Sequence, residues 1–255
     1  MSTVAVFTGL GFAIVNSPGW PEVHRTFFNG HRFAADFPDI AHAFLINVKM
    51  FAIAEALILP LALLLAVLRG LPGPVFFPIR ALAVVYVDFF RGIPTILLVL
   101  LLGFGAPALN LSWLPSGEFF WATTSLVLIY TAYVSEVYRA GIESVHPSQE
   151  AAARSLGLTR VQGLRYVIVP QAVRRVVPPL LNDFIGLQKD TALVSVLGVI
   201  DTLQQASIDT SATFNFTPYL AAAVLFVAIT IPLTRFTDWL VARERQRRQA
   251  AGVAA

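Results

Sequence analysis

Hydrophobic residues occupy five long segments of this chain, and shorter polar segments separate them. Each apolar segment approaches the roughly 20 residues that an α-helix needs to cross the hydrocarbon core of a bilayer. The fourth segment is less hydrophobic than the others, because it contains Asp183, Lys189 and Asp190. The pattern predicts an all-α membrane protein with about five transmembrane helices, at residues 46–68, 82–104, 119–137, 180–200 and 219–241.

The second segment contains a group of residues that interrupts a regular helix. Arg91, Gly92 and Pro94 follow one another closely within it. Proline lacks a backbone donor and clashes with the preceding turn, so helices usually bend or end there. The segment can therefore break at this point, with neighbouring helices satisfying the freed backbone groups inside the membrane.

The chain begins with a shorter apolar run at residues 4–15. No Lys or Arg precedes this run, which argues against a secretory signal peptide, and it is short for a membrane span. We interpret it as an interfacial or re-entrant segment, with a sixth span as the alternative. Residues 16–39 are polar and aromatic and are expected to form a loop. Residues 1–40 would then precede a transmembrane domain at 41–245 and a tail at 246–255.

One long polar interruption lies at residues 138–179, between the third and fourth predicted spans. Within it, Ser148 is a good N-cap residue, and Glu150 places negative charge in the first turn of a helix. Gly157 can adopt the left-handed conformation that ends a helix. The spacing predicts a short helix over residues 148–157.

A second helix is expected directly after Gly157. Thr159 and Gln162 have the spacing of a capping box, and Pro170 should stop or kink the run. Together the two helices make a compact, basic element with the shape of a docking segment. From the pattern alone, a surface helical hairpin without a partner explains these residues equally well.

Composition supports the membrane assignment. Hydrophobic residues make up 56% of the 255 residues and charged residues only 13%, whereas a soluble domain carries about 25% charged residues. The chain has no cysteine, which removes disulfides, thiolate chemistry and cysteine-ligated metals. Its four histidines show no metal-ligand spacing with one another or with a carboxylate, so no metal site is expected.

Basic residues are distributed unevenly among the connecting segments. The loops at residues 105–118 and 201–217 contain no Lys or Arg. Because positive residues mark cytoplasmic loops, five spans place the other connections and the C-terminus in the cytoplasm and the N-terminus outside. The cytoplasmic basic residues are Arg69, Arg80, Arg139, Arg154, Arg160, Arg165, Arg174, Arg175, Arg243, Arg245, Arg247 and Arg248.

Missing motifs restrict the source of energy and the chemistry. The chain contains no ATP-binding P-loop, no dinucleotide fingerprint and no nucleophile elbow, so energy must come from a partner or an ion gradient. A gradient-driven transporter or channel would normally show internal repeats or more spans, and no convincing repeat is present. A membrane enzyme would need a nucleophile, base or metal set clustered at one depth, which the sequence does not offer.

Four ordered motifs carry a resemblance to a known family. The central segment is similar to the signature E-A-A, three residues, glycine, nine residues and I-x-L-P, because VIVP follows Gly157 after nine residues. Ala151, Ala152 and Ala153 stand at the E-A-A positions, and Glu150 lies one residue early. FFRGIPTILL, TAYVSEVYRAGIESV and KDTALVSVLGV look like further family segments, in order within residues 40–242. The chain resembles the permease subunit of ATP-binding-cassette importers for polar amino acids, such as histidine, glutamine, arginine and opines.

The resemblance implies a division of labour between subunits. The short helix would dock, as a coupling helix, in a cleft of a cytoplasmic ATPase dimer that binds ATP and Mg, while this chain binds no cofactor and no nucleic acid. A second permease subunit, identical or related, and an extracytoplasmic substrate-binding protein would complete the importer in the lipid of the bacterial cytoplasmic (inner) membrane. Other small solutes stay open as cargo. The implied coupling residues are Ser148, Gln149, Glu150, Ala151, Ala152, Ala153, Gly157, Val169 and Pro170.

Ionisable residues within the spans are costly, so they pair inside the bundle or serve a pathway. Asp88 and Arg91 are three residues apart on one helical face, and so are Glu136 and Arg139. This spacing predicts two structural ion pairs near the cytoplasmic boundary. For Glu136, substrate contact is an equally good explanation.

An amino acid zwitterion needs an acceptor for its ammonium group and donors for its carboxylate. Asp183 and Asp190 are seven residues apart and share a helical face. Glu55 lies within the first span, where a polar contact inside the bundle is the alternative to a substrate role. The candidate residues of the substrate path are therefore Glu55, Glu136, Asp183, Lys189 and Asp190.

Overall fold

The computed structural model describes residues 2–253, leaving aside the side chains of residues 2, 160, 244, 245 and 247–253. Arg160 and most of the predicted basic tail therefore lie outside the described side chains. A π-helical turn at Leu164–Ile168 precedes the helix Val169–Asp190, and a 3₁₀ turn at Thr191–Leu197 follows it. The described chain is helical without strands, and its helices are α1 Ser2–Val15, α2 Trp20–Phe27, α3 Gly30–Arg69, α4 Phe77–Gly92, α5 Thr95–Ala108, α6 Glu118–Glu143, α7 Pro147–Ser155, α8 Arg160–Gly163, α9 Val169–Asp190, α10 Thr202–Thr213 and α11 Thr217–Val253.

Two stretches of helix are long and apolar enough to cross a membrane by themselves. They are Trp20–Arg69, with a mean hydropathy of 2.6, and Thr217–Arg243, with a mean hydropathy of 1.9. Two bent helix pairs pass the same test together, so the described residues hold up to four candidate spans. At about 39 Å, α6 is also long enough, but buried Thr and Ser residues make it less apolar. The all-α membrane fold is confirmed, and the number of five spans stays a prediction.

The predicted second span breaks sharply between α4 and α5. The two helices are bent by 102°, and Ile93 between them is extended, with φ −92° and ψ 134°. A residue before proline is held out of the helical region, so Pro94 fixes the break at Ile93. The break that the sequence allows within residues 82–104 is therefore present.

Two segments that the sequence predicts as loops are helical. Residues 16–39 contain α2 and the beginning of α3, and residues 201–217 contain α10. Proline and an acidic residue in the first turn of α2 are features of a helix start. Asp201 caps α10, since its side chain accepts a hydrogen bond from the Gln204 N–H at 2.9 Å. These local signals outweigh the polar composition from which the loops were expected.

The predicted fourth span also has different bounds and a different end. Its helix, α9, begins at Val169, well before residue 180. The last part of the predicted span is the 3₁₀ turn, which ends at Gly198 with a left-handed φ of 85°. Polar residues in the first half of α9 lower its hydropathy, so the apolar pattern detects only the second half.

The described residues form two compact units. The first unit contains the chain up to Ile46 together with Ile200–Val227. Three hydrogen bonds connect its two segments, from the Asn29 N–H to Thr217 Oγ1 at 3.1 Å, from the Phe216 N–H to the Thr26 carbonyl at 2.8 Å and from Asn215 Nδ2 to the Arg25 carbonyl at 3.0 Å. Its core consists of Ile40, Ala206, Ala221 and Ala222, surrounded by Phe33, Phe37, Tyr219 and Leu225.

The second unit contains Asn47–Val199 and the chain from Ala228 onward. Helix α6 lies at its centre, with α4, α5, α9 and the 3₁₀ turn packed around it. Helix α3 contributes a stripe of buried residues at a spacing of four, Ala54, Ile58 and Ala62. Four-residue spacing keeps such residues on one helical face, so this face of α3 packs into the core.

Two glycines allow very close helix packing in the second unit. A Cβ atom on Gly141 of α6 would stand 2.0 Å from Val176 Cγ2 of α9. A Cβ atom on Gly103 of α5 would stand 2.4 Å from the Leu197 side chain of the 3₁₀ turn. Small residues let membrane helices approach each other closely, and these two positions have no room for a larger residue.

Candidate functional site

Helix α7 is the short helix that the sequence predicts in the central polar segment. It begins at Pro147, and His146 rather than Ser148 is its N-cap. The His146 Nδ1 atom accepts a hydrogen bond from the Ser148 N–H at 3.2 Å and lies 2.8 Å from Ser148 Oγ. Because proline suits the first helical position and holds the residue before it extended, the start moves to Pro147. The prediction of Ser148 as N-cap is wrong.

The predicted end of α7 and the second helix start are confirmed. Gly157 has a φ of 79°, in the left-handed region that ends helices. The Thr159 N–H donates to Gln162 Oε1 at 2.9 Å, and the Gln162 N–H donates to Thr159 Oγ1 at 3.3 Å. This reciprocal pair is a capping box, and it fixes the turn between α7 and α8.

Pro170 does not stop the helical run. It lies in the first turn of α9, where its missing N–H leaves no hydrogen bond unmade. The π-helical turn Leu164–Ile168 leads directly into α9. The helical backbone therefore continues through Pro170 as far as Asp190.

The exposed face of α7 is small and polar. Of the three alanines at the signature positions, Ala151 and Ala152 are exposed and Ala153 is buried. A Cβ atom on Gly163 would stand 3.4 Å from Ala153 Cβ, so α7 rests closely on α8. Glu150, one residue before the signature position, forms an exposed ion pair with Arg154 at 2.6 Å.

Large apolar side chains beside α7 are also exposed. Leu156 is 82% exposed, Val161 is 74% exposed and Tyr166 is 65% exposed. We call these three residues the docking face. Grouped exposed apolar residues often mark an interaction site, and this group lies in the most basic connecting segment of the chain.

A second candidate site is a cavity of about 800 Å³ lined by α4, α6, α9 and α11. Its charged lining residues include two carboxylates, Glu136 and Asp183, and three guanidinium groups, Arg91, Arg174 and Arg175. The remaining lining consists of Tyr133, Val137, Ala140, Gly141, Ser144, Pro178, Pro179 and Val241. Such a mixed lining can bind a ligand that carries both signs of charge.

Asp183 and Arg91 carry charge that the cavity leaves unpaired. The Asp183 Oδ2 atom is inaccessible to solvent and has no hydrogen-bond partner among the described residues. The Arg91 guanidinium lies 5.8 Å from the centre of the Tyr133 ring. Gly186 of α9 lies beside Tyr130 of α6, and Val176 lies beside Gly141. The two helices are therefore antiparallel, and Asp183 and Tyr133 lie at about the same level.

The predicted ion pair between Glu136 and Arg139 is present, at 2.7 Å. It belongs to a larger network, because Arg69 also pairs with Glu136 and Arg139 pairs with Glu143 at 2.6 Å. Hydrogen bonds to Glu136 and Glu143 raise the pKa of Arg139 above its usual value. This network neutralises Glu136 and fixes the end of α3 against α6.

The predicted ion pair between Asp88 and Arg91 is wrong. Asp88 is exposed, and within the described residues it forms no ion pair with Arg91. A spacing of three permits such a pair, but contact with an aromatic ring is also favourable for a guanidinium group. Arg91 lies over Tyr133 instead, which leaves its positive charge available in the cavity.

The other candidate path residues have different surroundings. The Tyr130 O–H donates to Asp190 Oδ2 at 3.0 Å, so Asp190 has a partner. Glu55 is half-buried in α3 and does not line the cavity. Lys189 is exposed and does not line the cavity.

The sequence leaves several site residues undetected. In the sequence, Arg174 and Arg175 serve only to assign the cytoplasmic side of the membrane. In the structure both residues line the cavity, and Arg175 donates a hydrogen bond to the Ser144 carbonyl. Arg69 likewise indicates orientation, yet it pairs with Glu136. The pairing of Arg69 with Glu136 is compatible with the predicted topology, because the first and third predicted spans end on the same side of the membrane.

Residues 58–246 match the family model described as "Binding-protein-dependent transport system inner membrane component". The chain belongs to this family. This permease is 37% identical over 171 residues to the probable glutamine ABC transporter permease protein GlnM of Bacillus subtilis, which covers 66% of this chain and 77% of the relative. It is 35% identical over 184 residues to the probable amino-acid ABC transporter permease protein PatM of Vibrio harveyi, covering 72% and 81%.

Solved structures agree with the family. The structure described as an amino acid ABC transporter with histidines superposes with a TM-score of 0.73 at 32% identity, covering 81% of the permease and 94% of that chain. The MetNI methionine ABC transporter superposes with a TM-score of 0.57 at 20% identity, covering 80% and 93%, and shows the shared fold.

The resemblance stated from the motifs is confirmed by these findings. The chain is the multi-pass inner-membrane permease subunit of a binding-protein-dependent ABC importer. In such importers nucleotide binding belongs to a partner subunit. The family decides against a gradient-driven transporter, since its members work in systems that depend on a binding protein.

Proposed function

We propose that this permease subunit forms the translocation path of an ATP-driven importer for polar amino acids. Relatives named as glutamine, amino-acid and arginine permeases support this cargo class. One observation in the molecule carries the proposal, namely that Asp183 and Arg91 face one cavity without pairing. An amino acid zwitterion brings an ammonium group for the carboxylate and a carboxylate for the guanidinium.

The proposed path places each polar residue in a defined role. Asp183 accepts from the ammonium group, and Arg91 donates to the carboxylate. Glu136 positions α6 through Arg69 and Arg139 rather than contacting cargo, because its charge is already neutralised. Asp190 accepts a hydrogen bond from Tyr130, and Lys189 is exposed at the end of α9.

ATP-driven coupling is proposed to run through α7. The short helix and the docking face would bind a cytoplasmic ATPase dimer that carries ATP and Mg. Gly157 ends α7, and Pro170 lies in the first turn of α9. A capped helix transmits a displacement better than a loop, because its backbone bonds resist bending.

The remaining parts of the importer follow from topology and family. We place α7 and the C-terminus in the cytoplasm and the N-terminus outside, with five spans, because the basic residues concentrate in the connections assigned to the inner side. A second permease subunit and an extracytoplasmic binding protein complete the assembly.

The transport proposal is tested with the permease, its ATPase and its binding protein reconstituted in liposomes. ATP-dependent uptake of an amino acid is expected, and Asp183→Asn should lower the uptake rate about tenfold or more by removing a charge-assisted contact. Asp88→Asn is the matched control, because Asp88 is exposed and does not line the cavity. Equal rates for the two variants would remove Asp183 from the path.

The coupling proposal is tested by co-purification of the ATPase. Leu156→Asp should abolish binding of the ATPase, because it replaces the most exposed apolar side chain of the docking face with a charge. Leu109→Asp is the control, since Leu109 is 63% exposed in a connection assigned to the outer side. Retained ATPase binding by Leu156→Asp would refute the docking face.

A further inference from the structure

Three buried oxygen atoms on α3 and α10 lack a partner. The Asp36 Oδ2, Asp209 Oδ2 and Thr210 Oγ1 atoms are inaccessible to solvent and form no hydrogen bond within the described residues. None of the ion pairs among those residues includes Asp36 or Asp209. A buried polar atom without a partner costs free energy, and the cost is larger when the atom is charged. All three residues belong to the first compact unit.

Helices α3 and α10 run antiparallel within this unit. At the beginning of α3, the Asn29 N–H donates to Thr217 Oγ1, just beyond the end of α10. Further along α3, Ile40 shares a buried core with Ala206, near the beginning of α10. An advance along α3 therefore corresponds to a retreat along α10.

This arrangement brings the three oxygen atoms to one level. Asp36 lies one turn before Ile40, while Asp209 and Thr210 lie about one turn after Ala206. Residues three or four apart share a helical face. The three side chains therefore lie on the faces of α3 and α10 that meet in the core of this unit.

Thr210 gives independent evidence for a ligand between the helices. Its side chain is almost completely buried, with the residue only 8% exposed. A hydroxyl inside a helix commonly donates to the carbonyl one turn earlier, and Ser211 and Thr213 of α10 both do so at 2.8 Å. Thr210 does not. Its oxygen is thus left for a ligand at the level of Asp36.

The chemistry of these atoms selects the kind of ligand. Burial and then the negative charges of Asp36 and Asp39 raise the pKa of the Asp209 carboxyl, in agreement with the placement of the two helices. Atoms inaccessible to solvent can be reached by a small ion but not by a side chain of another protein. A water molecule would supply hydrogen bonds and would leave both negative charges in place. One divalent cation neutralises both carboxylates.

We propose that Asp36, Asp209 and Thr210 form a binding site for a hard divalent cation, Ca²⁺, which joins the beginning of α3 to α10. Ca²⁺ binds oxygen ligands in flexible geometry, whereas Mg²⁺ requires a nearly ideal octahedron. Within the part of the chain that the structure describes, no three His, Cys, Asp or Glu side chains are placed to hold a metal ion. Two carboxylates, a hydroxyl and water therefore make a weak site, with a Kd of about 0.1–1 mM, as in extracellular calcium modules.

The test measures binding of radioactive Ca²⁺ to the nucleotide-free permease–ATPase complex in phosphatidylcholine nanodiscs. Asp36→Asn and Asp209→Asn should each weaken binding about tenfold or more, because each removes a charged ligand. Thr210→Val should weaken it about fivefold, because it removes a neutral ligand. Saturating Ca²⁺ should also raise the thermal midpoint of the unaltered permease by about 5 °C or more.

Two variants in the same unit serve as controls. Glu22→Gln changes an exposed carboxylate that pairs with Arg25, and Thr213→Val removes a hydroxyl that bonds within α10. Both should keep the Ca²⁺ affinity of the unaltered protein. In chelator, Asp36→Asn should be at least as stable as the unaltered protein, because it removes repulsion between two carboxylates. This stability separates loss of the site from failure to fold.

Three results would overturn the calcium site. The first is no binding of Ca²⁺ at millimolar concentrations. The second is an affinity that is unchanged in Asp36→Asn and Asp209→Asn, or lowered equally in the controls. The third is a thermal midpoint that rises on acidification in chelator and does not respond to Ca²⁺, because the two carboxylates would then share a proton.

Discussion

Arg69, the last residue of α3, forms an ion pair with Glu136 of α6, and Glu136 also binds Arg139 of its own helix. The Arg69 and Glu136 side chains are only 14% and 17% exposed. One carboxylate thus joins the end of the first predicted span to the end of the third. The pair was not expected from the sequence, where only the contact between Glu136 and Arg139 is predicted.

Removing Arg69 should destabilise the permease. In Arg69→Ala, Glu136 keeps Arg139 as a partner, so we expect a loss of about 1–2 kcal/mol rather than the larger loss that follows when a buried charge is left alone. Thermal unfolding in detergent measures this loss. Arg235→Ala is the control, because Arg235 lies 4.0 Å from Asp238 with both side chains exposed, and such pairs contribute little. Equal shifts in both variants would contradict the structural role of Arg69.

Gly141 should not tolerate a larger residue. In Gly141→Ala the new Cβ atom would overlap Val176 Cγ2, and we expect a loss of about 1–3 kcal/mol from overpacking. Val176→Ala in the same chain should recover most of the loss, because it removes the clashing methyl group. Gly105→Ala is the control, since nothing lies within 4 Å of a Cβ atom there and alanine favours a helix. If Gly141→Ala alone is as stable as Gly105→Ala, the close approach of α6 and α9 is contradicted.

His146 should matter for coupling through its role as N-cap. His146→Ala removes the acceptor for the Ser148 N–H, and loss of an N-cap costs about 1 kcal/mol of helix stability. We expect weaker ATPase binding and a lower ratio of transport to ATP hydrolysis. His146→Asn restores a side-chain acceptor at the cap, so it should behave like the unaltered protein. Identical behaviour of the two variants would show that capping of α7 is unimportant.

Single-cysteine labelling can test the topology, because the chain has no cysteine to remove. A cysteine at Asn110 should react with a membrane-impermeant maleimide on intact spheroplasts. A cysteine at Ser155 should react only after the membrane is opened. A cysteine at Phe7, which is 71% exposed in apolar α1, should be protected by lipid in both cases. Labelling of the cysteine at position 155 on intact spheroplasts would contradict the cytoplasmic location of α7.

Helical content and helix ends were predictable where local chemistry decides them. The left-handed Gly157 and the capping box of Thr159 and Gln162 depend on neighbouring residues only. The break before Pro94 depends on a steric clash with the preceding residue. In each case the interacting atoms are close in the sequence, so a pattern of a few residues is sufficient to predict the geometry.

Contacts between helices were not predictable in the same way. The partner of Asp190 is Tyr130, sixty residues away, and the partner of Glu136 includes Arg69 from another helix. The ring of Tyr133 attracts Arg91 away from Asp88, although the spacing of the two charged residues favours a pair. Such choices depend on which helix faces meet, and hydropathy patterns do not contain that information.

The glycine contact between α6 and α9 has a mechanical consequence. Where a backbone touches a side chain directly, no flexible chain remains that could rotate to absorb a shift. Arg175 of α9 also holds the Ser144 carbonyl at the end of α6, and Gln171 of α9 binds Gln149 of α7 at 3.1 Å. A displacement of α7 would therefore move α6 and α9 together as one rigid body. Both of these helices carry residues that line the cavity.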